Sequence, residues 1–207
     1  MNPNRAILAI GDEDWPFPVP IVRANGKWNF DASETPVEMR ARRIGSDELD
    51  AIEICYGYVE AQRKYASEDR DKDGMLAYAS HLMSPPGRQD GLYWEGASEP
   101  LVPRGFALAA WDSSRKGSAK PYHGYYFRIL EGQGPSAQGG PHNYLVKNKL
   151  IGGFGLVAWP AEYGVTGIHT FIVNQNGEVY KKDIAPVSGK PPLVITRFDP
   201  DSSWEPD

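Results

Sequence analysis

A chain of 207 residues, 41% hydrophobic and 24% charged, has the composition of a globular protein rather than a disordered one, and its length suits one domain with at most a small appendage. Its net charge of −5 argues against a nucleic-acid binder, which carries a basic stripe to neutralise phosphates. No apolar stretch reaches the roughly 20 residues of a membrane-spanning helix; the best, Ile151 to Ala161, falls short.

Cys55 is the only cysteine, so an intrachain disulfide and a thiolate zinc site are both excluded, and a buried helix face is its expected place. The 22 Gly and 18 Pro assign much of the chain to turns. The opening MNPNRAILAIG has one Arg and a brief apolar run, which reads as no signal peptide.

Residues 1–34 read as an N-terminal β-hairpin appendage. Ala6 to Ile10 is a short strand, and the Pro-punctuated WPFPVP that follows has no place in a central strand. Pro20–Ala24 and Lys27–Trp28–Asn29–Phe30 flank Asn25-Gly26, the dipeptide a type I′ hairpin turn asks for.

An α+β domain then fills residues 35–207, with helices over 35–83. Thr35-Pro36-Val37-Glu38 has the letters of a capping box with Pro at the first helical position, and Gly45 would stop that helix. Ser46 caps a second one, with Asp47 and Glu48 at the positive end of its dipole. Leu49, Ile52, Tyr56, Val59 and Arg63 mark its buried face, with Cys55 beside them, to about Ser67. Met75 to Met83 reads as a third, shorter helix, ended by Pro85-Pro86-Gly87.

Residues 84–120 form a loop excursion that Trp94 and Trp111 mark as ordered. From Pro121 the apolar period becomes two, and residues 121–183 read as an antiparallel sheet. Its strands are Tyr122–Leu130, Asn143–Lys147, Leu150–Trp159, Gly167–Asn174 and Glu178–Asp183, followed by a C-terminal tail. Helices first and strands after them give an α+β fold, with a long helix packed on an antiparallel β-meander. No internal repeat is visible.

Chemistry-bearing patterns are few. Asp69-Arg70-Asp71-Lys72-Asp73-Gly74 spaces three carboxylates as many calcium loops begin. Asp69, Asp71 and Asp73 are therefore the candidate metal ligands and calcium the candidate cofactor. The twelfth position of such a loop is Ser80 rather than Glu, so the alternative is a solvated acidic turn. Gly153-Phe154-Gly155-Leu156-Val157-Ala158 matches a dinucleotide fingerprint in letters only, because Trp159-Pro160 follows where the mechanism needs a helix.

His81, His123, His142 and His169 have no zinc spacing. His123, set among tyrosines in Pro121–Phe127, is the candidate catalytic base, against a structurally partnered histidine. An enzyme would need it beside a carboxylate such as Asp183 or Glu162. No nucleophile stands in a recognisable motif. Aromatic residues make up 12% of the chain, and Tyr122, Tyr125, Trp94 and Trp159 are the candidate contacts for a protein or cell-envelope component, against a role in packing.

The strings WPFPVPIV with GKWNFD, ARRIGSDELDAI, YVEAQRKYASEDRDKDG, GLYW, PYHGYYFRIL, IGGFGLVAWPAEYG, TFIVNQNGEVYKKD and TRFDPDSSW resemble domain-of-unknown-function family 2950 over nearly the whole chain. The resemblance implies a bacterial exported protein of the periplasm or cell envelope, and it implies no reaction and no catalytic residue. Family members carry a signal peptide and a further region ahead of the W-P-F-P segment, and often an acidic residue where Ala77 stands. The succession of helix, D-x-D-G turn and closing hairpin is also similar to pilin-like headgroups, although Ala32 to Asp50 is charged where a pilin helix is apolar. Three readings follow: a non-catalytic binding module, a hydrolase using His123, and a calcium-stabilised structural module.

Overall fold

The computed structural model describes residues 2–70, 72–110, 120–186 and 195–207. One long helix, Thr35–Tyr65, accompanies sheets that are antiparallel except for one short parallel pair, an α+β arrangement. The chain divides into two compact units, Met1–Ser46 and Asp47–Asp207. The sequence reading drew that line before the helix; the division falls within it.

In the first unit, Asn25-Gly26 turns the chain. Asn25 and Gly26 have φ of 52° and 78°, both positive as a type I′ turn requires, and strand Ile21–Ala24 pairs with Lys27–Phe30 in the register Ala24↔Lys27. Arg5–Ala6 adds to the other edge, and Ala9–Ile10 pairs with Trp15–Pro16. Phe17 packs between Trp15 and Phe30, with ring centroids 6.5 and 6.0 Å away.

The helix begins differently from the capping-box expectation. Thr35 is already helical, and its Oγ1 is buried without a hydrogen-bond partner. The Glu34 carbonyl accepts from the N–H groups of Val37 and Glu38 instead, and the Glu38 carboxylate turns away to Arg42 Nε at 2.7 Å. Nor does Gly45 end the helix. A C-terminal glycine stops a helix by taking positive φ; Gly45 does not, so it costs about 1 kcal/mol relative to Ala and the helix runs on.

In the second unit, five antiparallel strands lie in the order Glu205–Pro206, Val179–Asp183, His169–Asn174, Gly155–Pro160 and Tyr125–Leu130. Alternation gives this sheet two apolar faces. Phe127, Leu156, Ala158, Phe171 and Val173 share one cluster with the helix residues Ala51, Ile52, Cys55, Tyr58, Val59 and Tyr65. Leu130, Val157 and Ile172 belong to a second cluster, which Phe198 and Trp204 of the C-terminal segment complete. The helical stripe is rotated from the expected one: Leu49 and Tyr56 are exposed, while Tyr58 and Gln62 are fully buried.

Buried polar groups explain that rotation. Gln62 Nε2 donates to Ala79 O and to Tyr58 Oη, each at 2.9 Å, and Gln62 Oε1 accepts from Ala79 N at 2.8 Å. Tyr58 in turn donates to Gly155 O at 3.1 Å. The two side chains tie the helix to both the sheet and the incoming loop.

Met75 to Met83 is not a helix. His81–Met83 is a strand paired in parallel with Gly91–Tyr93. A Cβ on Gly91 would lie 2.7 Å from Ser84 N, so glycine permits the close approach. The excursion that follows also contains the short helix Arg104–Leu108; Trp111 lies outside the described residues. Expected strand Tyr122–Leu130 begins only at Tyr125, because His123 and Gly124, with φ of 47° and 74°, form a tight turn closed by mutual Tyr122–Tyr125 backbone bonds. Gly155–Pro160 is a strand paired on both sides, so the G-x-G-x-x-A letters stand in a sheet with no phosphate-binding helix after them.

Candidate binding site

His123 meets a carboxylate, though neither Asp183 nor Glu162. Its Nδ1 lies 2.6 Å from Asp50 Oδ2 on the long helix, and both side chains are partly exposed. Positive φ on a non-glycine residue is strained backbone, held here by Gly124, whose missing Cβ would meet Asp47 Oδ2 at 2.5 Å. Asp183 instead accepts from Tyr163 Oη at 2.8 Å. Among the described residues, no Ser, Thr or Cys forms a hydrogen bond with His123.

Two residues before Asp50, Glu48 holds the sheet. Its Oε1 accepts from the backbone N–H groups of Ile168 and His169 at 2.8 and 3.0 Å, and both its oxygens lie 3.1 Å from His169 Nδ1. Burial pushes the Glu48 carboxyl up, but these hydrogen bonds and the charge of His169 together outweigh it and leave its pKa below the ordinary value. His123 and His169 are therefore each partnered by the same stretch of helix.

The acidic turn and Trp94 come together elsewhere. After the helix ends at Tyr65, Asp69 Oδ2 accepts the Gly74 N–H at 2.8 Å and closes the turn. Arg70, next to Asp69, lies against two rings. Its guanidinium carbon lies 5.0 Å from the Tyr65 ring centroid and 5.3 Å from that of Trp94. Only 14% of the Arg70 side chain is exposed, its Nη1 is 3.3 Å from Glu68, and its Nε has no hydrogen-bond partner. Arg70 and Trp94 line an open cavity of about 380 Å³ that also has Lys64, Gln89, Ser98 and Glu99 in its walls, a size within the range of small-molecule sites.

Of the other candidate residues, Tyr125 is fully buried and donates to His169 O at 3.0 Å, so it offers no surface. Tyr122 packs between Phe106 and His123, with centroids 6.5 and 4.4 Å away. Trp159 stacks with Tyr126 at 6.1 Å and under Arg128 at 5.4 Å. Neither lines the Trp94 cavity. Asp71 lies outside the described residues. Asp73 accepts the Met75 N–H at 3.1 Å and pairs with Lys149. Among the described residues no three His, Cys, Asp or Glu side chains group as a metal site.

Sequence reasoning marked Trp94 and the turn separately and missed Arg70 and Tyr65, which join them. Arginine beside aromatics carries no local signal when one ring lies five residues before it and the other far downstream.

The family model described as Protein of unknown function (DUF2950) matches residues 1–206. The chain belongs to this family. No curated protein and no solved structure matches it, and the likeness to pilin headgroups is not shown. Among the described residues no helix is long and apolar enough to cross a membrane. DUF2950 membership names no ligand, so the chemistry of the cavity carries the functional reading.

Proposed function

We propose that this DUF2950 protein is a non-catalytic binding module of the cell envelope, and that it takes a polar envelope component, a glycan or a peptide, in the Trp94–Arg70 cavity. The observation that carries this reading is Arg70 itself, an arginine lying against two aromatic rings and paired, among the described residues, with Glu68, a mostly exposed carboxylate. Such an arginine is fixed in place and keeps N–H groups for an incoming acceptor. Gln89, Ser98, Glu99 and Lys64 add donors and acceptors around the Trp94 ring, the mixture that polar ligands with apolar faces require.

Isothermal titration calorimetry with soluble cell-wall glycopeptide fragments tests it. The wild type is expected to bind, and Trp94→Ala and Arg70→Gln are each expected to weaken binding about tenfold or more, as buried Trp and Arg anchors do. Unaltered affinity in both variants would remove the cavity from the function. Melting curves with calcium and with chelator separate the structural-module reading. A calcium-dependent rise in Tm that Asp73→Asn abolishes would make the turn a metal loop.

One observation favours a second reading. Asp50 at Nδ1 orients His123 and leaves Nε2 as a base, in the manner of a carboxylate–histidine pair. Turnover of ester, amide or glycoside substrates that disappears in His123→Ala would establish a hydrolase; absence of turnover in the wild type ends that reading.

A further inference from the structure

A second cavity of about 380 Å³ lies beside the paired strands Gly132–Gln133 and His142–Asn143, lined by Gln133, Gly134, His142, Asn143 and Arg197 together with two prolines. It shares no residue with the Trp94 cavity. Among the described residues no carboxylate lines it, although the Asp199 carboxylate lies against Gly134.

Arg197 is the centre of this place. Its Nη1 donates to Gln133 O at 3.1 Å and to His142 O at 3.3 Å, and its Nη2 donates to Asn143 Oδ1 at 2.8 Å. All three partners are neutral oxygens. They fix the guanidinium without neutralising it, and its remaining N–H groups are left unused by them. Close approach is built into the backbone: a Cβ on Gly132 would lie 2.7 Å from Arg197 Nη1. Asp199, two residues further on, packs its carboxylate against Gly134 and accepts the Ser136 N–H at 2.8 Å, so it supports the loop. His142 adds an imidazole held between Gly140 O and Gly152 O, each at 3.2 Å.

A guanidinium that is pinned, faces a cavity and has no ion-pair partner among the described residues is the arrangement that binds planar or tetrahedral oxyanions. We propose that this cavity is an oxyanion-binding site, in which Arg197 receives a carboxylate or phosphate group of a ligand and Asn143 and Gln133 hold the arginine in register.

The test is a nitrogen–proton NMR titration of the whole chain with sodium sulfate, phosphate and malonate in turn, each against sodium chloride of equal ionic strength. Saturable shifts confined to the amides around residues 132–143 and 197 are expected. Asn143→Asp keeps the acceptor for Arg197 and supplies an internal counter-charge, so it should weaken binding at least tenfold while its spectrum remains that of a folded protein. Arg197→Lys keeps the charge but loses the fork, and should retain only part of the affinity. Saturation by phosphate and sulfate but not malonate identifies a phosphoryl- or sulfuryl-bearing ligand, and the reverse identifies a carboxylate. No saturable shift beyond chloride in the wild type, or equal affinity in Asn143→Asp, overturns the proposal.

Discussion

Glu48 grips His169 at both backbone and ring: one carboxylate oxygen accepts the His169 N–H at 3.0 Å, and both oxygens lie 3.1 Å from Nδ1. The same oxygen takes the Ile168 N–H, so a single side chain of the helix terminates the strand His169–Asn174. With 17% of the Glu48 side chain exposed, solvent screens the contact little.

This contact sets an acid limit on stability. Because the folded pKa of Glu48 lies below the ordinary value of 4.5, the folded state binds the proton more weakly than the unfolded state does. Its contribution is complete above pH 4.5 and is lost as pH falls through the lower, folded value. Glu48→Gln should cost about 1.5–3 kcal/mol at pH 7, the range for hydrogen bonds to a charged group. Urea midpoints of wild type and variant should converge as the pH is lowered below 4.5. A gap that stays constant into the acid would mean the charge of Glu48 contributes nothing.

Gln62 is the most exposed to consequence of the buried polar groups, because it satisfies both the N–H and the C=O of Ala79 while receiving no water. Gln62→Leu keeps the volume and removes all three hydrogen bonds. Two buried backbone groups left unpaired cost about 1–3 kcal/mol each, so a loss of about 3 kcal/mol or more is expected in urea denaturation. Tyr58→Phe, which leaves the Gln62–Ala79 pairing in place, should cost less.

Cys55 provides a probe of that same core. It is fully buried, and burial, with a smaller contribution from the charge of Asp207, pushes its thiol up to about 12. The thiolate is the form that attacks a thiol reagent, so Cys55 should be inert in the native protein at pH 8 and react readily in denaturant. Gln62→Leu should label faster in proportion to its lost stability. Prompt labelling of the native wild type would show that the helix face opens without global unfolding.

What the sequence made legible was what a few adjacent residues decide. Asn25-Gly26 specifies its turn through positive φ at two neighbouring positions, and the expected strand Leu150–Trp159 holds most of the observed Gly155–Pro160, while Lys149–Leu150 pairs separately. The rotation of the helix stripe was not legible, since Tyr58 and Gln62 are polar letters whose burial depends on Gly155 and Ala79, 97 and 17 residues away. Met75–Met83 was misread for a related reason: the space beside Gly91 that admits its parallel partner strand belongs to a different segment. His123 was found as a residue but not its partner, because Asp50 stands 73 positions earlier. Arg70 carries no signal of its own, because one of its rings, Trp94, stands 24 positions later in the chain.

Gly167 is the position where added volume should be felt most sharply. A Cβ there would overlap the Tyr125 hydroxyl and lie 2.6 Å from its Cζ, and Tyr125 is fully buried, with its hydroxyl committed to His169 O. Nothing allows the ring to retreat without breaking that bond, so Gly167→Ala should destabilise by about 1–3 kcal/mol, the usual range for overpacking. Gly177→Ala measures a different cost: its φ is 85°, a conformation Gly167 does not share, and nothing lies within 4 Å of the added carbon, so the loss there is about 1 kcal/mol and purely conformational. Tyr125→Phe removes the hydroxyl that the new methyl would strike. If the clash is the cause, the double variant Gly167→Ala with Tyr125→Phe should be more stable than the two single losses added together, with a coupling of about 0.5–3 kcal/mol. Simple additivity in urea denaturation would place the damage in the backbone of the Gly167 turn rather than in its contact with Tyr125.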